Sequence, residues 1–139
     1  VTIVRSGRGE EGSTLLLFPF AVLVLLALGG IALDAAVAFQ ADRRAVDEAS
    51  ALANDIAGVI DEAAFATTGR VSIDATFAAS ATMAANTRLG PDLVCVSDLA
   101  AATVTVVCEG EATPIILPAL GGLTTFDVGG SAVASAVIQ

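Results

Sequence analysis

Between Gly12 and Leu33 the chain carries no charged residue, and the stretch Leu15 to Leu33 reads LLLFPFAVLVLLALGGIAL. A helix needs roughly 20 apolar residues to cross about 30 Å of hydrocarbon, whereas the apolar part of a secretory signal is typically about 7 to 15 residues. The run therefore reads as a transmembrane helix over 13–34, with 1–12 as a cytoplasmic leader. Pro19 removes a backbone donor and is expected to kink this helix or mark its first turn. A rival reading stays open: Ala36-Val37-Ala38 is an A-x-A at which a signal peptidase can cut, giving a secreted chain that begins at Phe39.

Charge does not orient the span, because Arg5 and Arg8 on one side face Arg43 and Arg44 on the other. The cysteines do. The chain has two, Cys95 and Cys108, close in sequence. They read as a disulfide formed in an oxidising compartment, which puts the C-terminal part outside the cell. The expected product is a single-pass protein of the cell membrane, in contact with membrane lipid and with an extracellular C-terminal domain.

Beyond the span the apolar residues change pattern. Ala45, Val46, Ala49, Leu52, Ala53, Ile56, Val59, Ile60 and Ala63 recur at three and four, while Asp47, Glu48, Asp55, Asp61 and Glu62 mostly lie off that stripe. This is the signature of an amphipathic helix over 35–68 continuing the span. One helix from about Ser13 to Ala66 would be roughly 80 Å long at 1.5 Å per residue, with Thr67-Thr68-Gly69 as its stop. Val46, Ala49, Leu52, Ala53, Ile56 and Ile60 are the candidate assembly face. A following domain of about 70 residues is too short to cover all of so long a helix, and small residues at spacing four admit a second helix closely.

Residues 69–139 read as a small exterior domain. Asp74 is placed to cap a helix running to about Leu89, ended by Gly90-Pro91. Strands follow at Leu93 to Ser97 and Thr103 to Cys108. Pairing Cys95 opposite Cys108 sets Ser97 across from Val106 and leaves a loop of about six residues. A third strand fits Phe126 to Val137, with Gly129-Gly130 as a bulge or bend. PIILP at 114–118 is bounded by prolines and reads as a turn or single helical turn. The fold class is α+β: a long N-terminal helix, transmembrane then amphipathic, followed by one helix and a three-stranded antiparallel sheet.

Composition narrows the chemistry. The chain has no His, Trp or Tyr, so imidazole bases, histidine metal sites and the Ser-His-Asp and Cys-His nucleophile pairs are excluded. A net charge of -9, with 15 acids against 6 arginines, repels phosphate backbones, and nucleic acid is not an expected partner. Hydrophobic residues make up 55% of the chain, more than an ordinary soluble domain carries. Gly7-Arg8-Gly9-Glu10-Glu11-Gly12 spells G-x-G-x-x-G, but two glutamates stand where a phosphate would lie and a membrane span follows. Asp92, Asp98, Glu109, Glu111 and Asp127 lack the spacing of a calcium loop and read as a solvated acidic surface. No catalytic residue, cofactor, metal site or small-molecule substrate is expected. Asp34 ends the apolar run at interface depth, marking the change from lipid to water or pairing with a neighbour's cation in assembly.

The order of these features, RSGRGEEGST, then LLLFPFAVLVLLALGGIALDAAVAF, then QADRRAVDEASALANDIAG and finally LTTFDVGGSAVASA, resembles the TadE/TadG-like proteins of Flp (tight adherence) pilus assembly, particularly the actinobacterial type. The likeness covers nearly the whole chain and is most specific from Gly12 to Gly58. It implies a non-catalytic minor pilin-like protein or membrane-anchored assembly component, with other pilin-like subunits and a Tad-type secretion platform as partners. Family members cut by a prepilin peptidase carry Glu five residues after the Gly at the cut. Counting from Gly9 or Gly12, that place holds Thr14 or Leu17. A membrane-tethered module that binds an extracellular ligand, unrelated to pili, is the alternative from another class.

Overall fold

The computed structural model describes residues 11–136, with side-chain surroundings from Leu17 onward. The elements are α1 (Glu11–Ala57), α2 (Glu62–Thr68), α3 (Ala75–Leu89), β1 (Leu93–Ala100), β2 (Thr103–Ala112), a 3-10 turn (Leu117–Leu120) and β3 (Phe126–Ser135). The three strands form one antiparallel sheet in the order β1-β2-β3. The architecture is α+β, a long apolar N-terminal helix followed by a small domain, as the sequence pattern requires.

The single helix expected to reach Ala66 is instead two. α1 stops at Ala57, where the N–H of Gly58 still reaches the Asn54 carbonyl at 3.1 Å. Glycine costs about 1 kcal/mol in a helix relative to alanine, and the β-branched Val59 and Ile60 that follow favour extended backbone. Ile60, expected on the helical stripe, pairs with Ile73 in an isolated antiparallel bridge. Asp61 then starts α2 by accepting the Ala64 N–H at 2.9 Å, and Gly69, at φ 68°, ends it. Pro19 lies inside α1, beyond its first turn.

α3 runs between the expected signals. Asp74 accepts the N–H groups of Thr76 and Phe77 at 2.8 and 3.0 Å, and Gly90 closes the other end. The hairpin is tighter than its sequence suggests. Cys95 lies opposite Cys108 and Ser97 opposite Val106 as expected, but pairing continues to Ala100 and Thr103, leaving a two-residue turn in place of a six-residue loop. Ala101 carries the positive φ, 54°, that such a tight connection demands.

Gly129-Gly130 forms no bulge, because Cys108 pairs with Gly130 and Glu109 with Gly129 in continuous register. The sheet needs glycine at 130 for packing: a Cβ there would lie 2.6 Å from Val46 Cα and 2.7 Å from Ala45 C. β3 thus rests directly on the backbone of α1. The core lies between the C-terminal half of α1, α3 and the inner face of the sheet, built from Ala45, Ala49, Leu52, Ala53, Ile56, Ala78, Ala85, Val104, Val106 and the two cysteines. Asn86 of α3 holds the outer edge of β1, donating to the Cys95 carbonyl at 2.9 Å and accepting the Cys95 N–H at 2.8 Å.

Candidate functional site

The site that distinguishes this molecule is the junction where the apolar helix meets the domain. From Leu17 to Leu33 nearly every large side chain of α1 stands exposed, Phe18 to 74% and Leu26 to 70%. α1 is the one helix among the described residues long and apolar enough to cross a membrane.

Asp34 closes that segment and is completely buried. Its Oδ1 accepts the Ile115 N–H at 2.7 Å and the Ile116 N–H at 3.0 Å, and its Oδ2 accepts those of Ile116 at 3.1 Å and Leu117 at 2.7 Å. One side chain thereby meets three successive backbone donors at the start of the 3-10 turn, the geometry in which a carboxylate is best accommodated away from water. One helical turn earlier, Gly30 is buried under Ile116, and a Cβ at that glycine would lie 2.6 Å from Ile116 Cγ2. The pair Gly30 and Asp34, at spacing four on one face of α1, forms a notch for the 114–118 segment: the glycine makes room and the aspartate supplies acceptors. The turn itself agrees with the single helical turn expected there.

Further up, Asp42 accepts the Gly129 N–H at 3.1 Å, and Arg43 stacks over Phe39 with its guanidinium carbon 5.4 Å from the ring centroid. The first ties the start of β3 to α1; the second covers an exposed ring just beyond the C-terminal end of the apolar segment.

Cys95 and Cys108 form a disulfide, both sulfurs inside the core. The six residues of the candidate assembly face separate. Ala49, Leu52, Ala53 and Ile56 are buried within the chain, Ile60 is half-buried in its bridge, and Val46 is 43% exposed. The expectation that the membrane-proximal part of this stripe lies open is corrected: the sheet sits low on α1, with Gly130 against Val46, and covers Ala45 and Ala49.

Asp92, Glu109, Glu111 and Asp127 line an open concavity at one end of the sheet, with Asp98 elsewhere on its outer face. Among the described residues no group of three or more acids or cysteines is arranged to hold a metal ion. Residues 1–10, most of the expected leader and of the glycine pattern at Gly7 to Gly12, lie outside the described residues, and Glu11 and Gly12 already belong to α1. Sequence reasoning missed Gly30, Gly130 and Asn86; the one available signal was the spacing of four that puts Gly30 and Asp34 on the same face of the helix. No family model, curated protein or solved structure matches this chain.

Proposed function

We propose that this protein is a membrane-anchored, non-catalytic structural component of a Flp/Tad-type pilus or secretion system, TadE/TadG-like, with its C-terminal domain outside the cell. The observation that carries the reading is the division of α1: a bare apolar segment from Leu17 to Leu33, and a C-terminal half sheathed by its own domain. A helix exposed in this way needs lipid or other helices around it. Because Ala49, Leu52, Ala53 and Ile56 are committed to the chain's own core, association with other pilin-like subunits falls to the bare segment, with Val46 at its upper margin.

The junction supports retention of the helix over cleavage after Ala38. A chain beginning at Phe39 lacks both Gly30 and Asp34, and leaves the N–H groups of Ile115, Ile116 and Leu117 without their acceptor. Two measurements test the reading. Alkaline carbonate should leave the full-length chain in the membrane pellet; a soluble chain starting at Phe39 overturns it. A photo-crosslinking residue at Leu28 or Ile31 should capture another helical subunit in cells, while one at Asp98 should not. Capture of lipid alone at both helix positions removes the assembly role.

A further inference from the structure

We propose that the segment from Ala112 to Phe126 is a second membrane contact, an uncharged loop that dips into the lipid interface beside α1. The inference rests on the reading of α1 as a membrane span. Between Glu111 and Asp127 the chain carries no charge, and the loop exposes Ile115, Leu120 and Leu123 to 67%, 62% and 62%. With no charge between them, these three side chains leave the loop with an apolar surface that continues from the bare segment of α1 at Gly30.

The loop's place on α1 fixes its depth. Leu15 to Leu33 is about 28 Å of helix at 1.5 Å per residue, close to the roughly 30 Å of a bilayer's hydrocarbon core. Asp34 therefore sits at the boundary. Gly30, the residue under Ile116, lies four residues inside it, or about 6 Å. Interfacial elements bury their apolar faces about 5–10 Å into the boundary between headgroups and acyl chains. A turn clamped at Gly30 and Asp34 reaches that depth without any movement.

From Ile115 to Gly122, the part clamped on α1, its backbone is already prepared for such surroundings. Lipid offers no partner to a bare N–H, so any segment entering it must satisfy its donors internally. Ile115, Ile116 and Leu117 donate to Asp34. Ala119 donates to the Ile116 carbonyl at 3.0 Å, Gly121 to Pro118 at 3.2 Å and Gly122 to Leu117 at 2.8 Å. Pro114 and Pro118 have no N–H to satisfy. The buried carboxylate that makes this closure possible is itself covered by the turn. The partner is the bilayer surface that α1 enters.

The absence of tryptophan makes a direct test available. Leu120→Trp, Leu123→Trp, Leu25→Trp and Val96→Trp each place one indole in the full-length protein, reconstituted into phosphatidylcholine and phosphatidylglycerol vesicles. Acyl chains are brominated either near the headgroup or near their ends. Leu25→Trp should lose most of its emission to the deep bromines, and Val96→Trp, on the outer face of the sheet, should lose none. Leu120→Trp and Leu123→Trp should emit blue-shifted light and lose most of it to the shallow bromines. If Leu25→Trp is quenched while both loop variants emit as in water, the loop contact is overturned and the span survives. Blue-shifted loop emission that no bromine quenches means burial against protein and also overturns it. An unquenched Leu25→Trp removes the span and the loop contact together.

Discussion

Asp34 holds the N–H of Ile116 with both carboxylate oxygens, at 3.0 and 3.1 Å, across 82 positions of sequence. The bond joins the end of the apolar helix to the loop between β2 and β3, so the domain is fastened to α1 at its lower edge as well as through its core. Without it the lower edge of the domain would be free to lift from α1, where Gly30 and Asp34 meet the turn. Asp34 and Gly30 make the apolar helix and the domain one mechanical unit.

Replacing Asp34 with alanine should release this fastening while leaving the disulfide-linked sheet in place. Three backbone donors lose their acceptor at once, and local opening becomes easier than global unfolding. Amide exchange at Ile115, Ile116 and Leu117 should accelerate by roughly tenfold or more, with β1 and β2 unchanged. Asp34→Asn, which keeps one acceptor oxygen, should fall between. Unaltered exchange at the three amides in Asp34→Ala would show that the carboxylate does not hold the turn.

The neighbouring glycines supply a matched pair. A Cβ at Gly29 meets nothing within 4 Å, whereas one at Gly30 meets Ile116 Cγ2 at 2.6 Å and Cβ at 3.3 Å. Gly29→Ala should be neutral or stabilising by up to about 1 kcal/mol through helix propensity. Gly30→Ala should lose that gain and cost about 1–3 kcal/mol through overpacking, read as a lower melting temperature in detergent and faster proteolysis of the 113–125 loop.

Cys95 and Cys108 are each at most 1% exposed, so a reductant has no path to the bond in the folded domain. The disulfide should resist dithiothreitol under native conditions and be reduced once denaturant opens the sheet. Closing a loop of this length stabilises by about 3 kcal/mol in the chain-entropy model. The Cys95→Ala, Cys108→Ala pair should therefore unfold at a clearly lower denaturant concentration, and rapid reduction of the native protein would contradict the burial.

What the sequence made legible was local. Asp74, Gly69 and Gly90 announce helix ends by their chemistry, and the pairing of Cys95 with Cys108 sets the hairpin register. The break at Gly58 was harder, since the three-and-four spacing runs through it and the capping role of Asp61 competes with a helical pattern of similar strength. Asp34 stood out as an acid at the end of an apolar run, yet its partners did not. Backbone N–H groups carry no residue signature, and they lie 81 to 83 positions away. Asn86, which binds the edge of β1 as a neighbouring strand would, was hidden for the same reason.

Gly130 tests how closely the sheet rests on α1. At Gly129 a Cβ would meet the Cys108 carbonyl oxygen at 3.5 Å, an ordinary contact, but at Gly130 it would strike the backbone of Ala45 and Val46. Backbone cannot swing aside as the end of a side chain can, so sheet and helix must separate, opening the core around Ala45, Ala49, Val104 and Val106. Gly130→Ala should cost about 3 kcal/mol, the upper end of what one added methyl does in a packed interior. Gly129→Ala should lie within about 0.5 kcal/mol of the parent, the range of surface substitutions. Chemical denaturation of the two variants in the same detergent measures both. Equal stability would mean that β3 does not lie against α1 at this point, and the packing of the sheet on the helix would have to be redrawn.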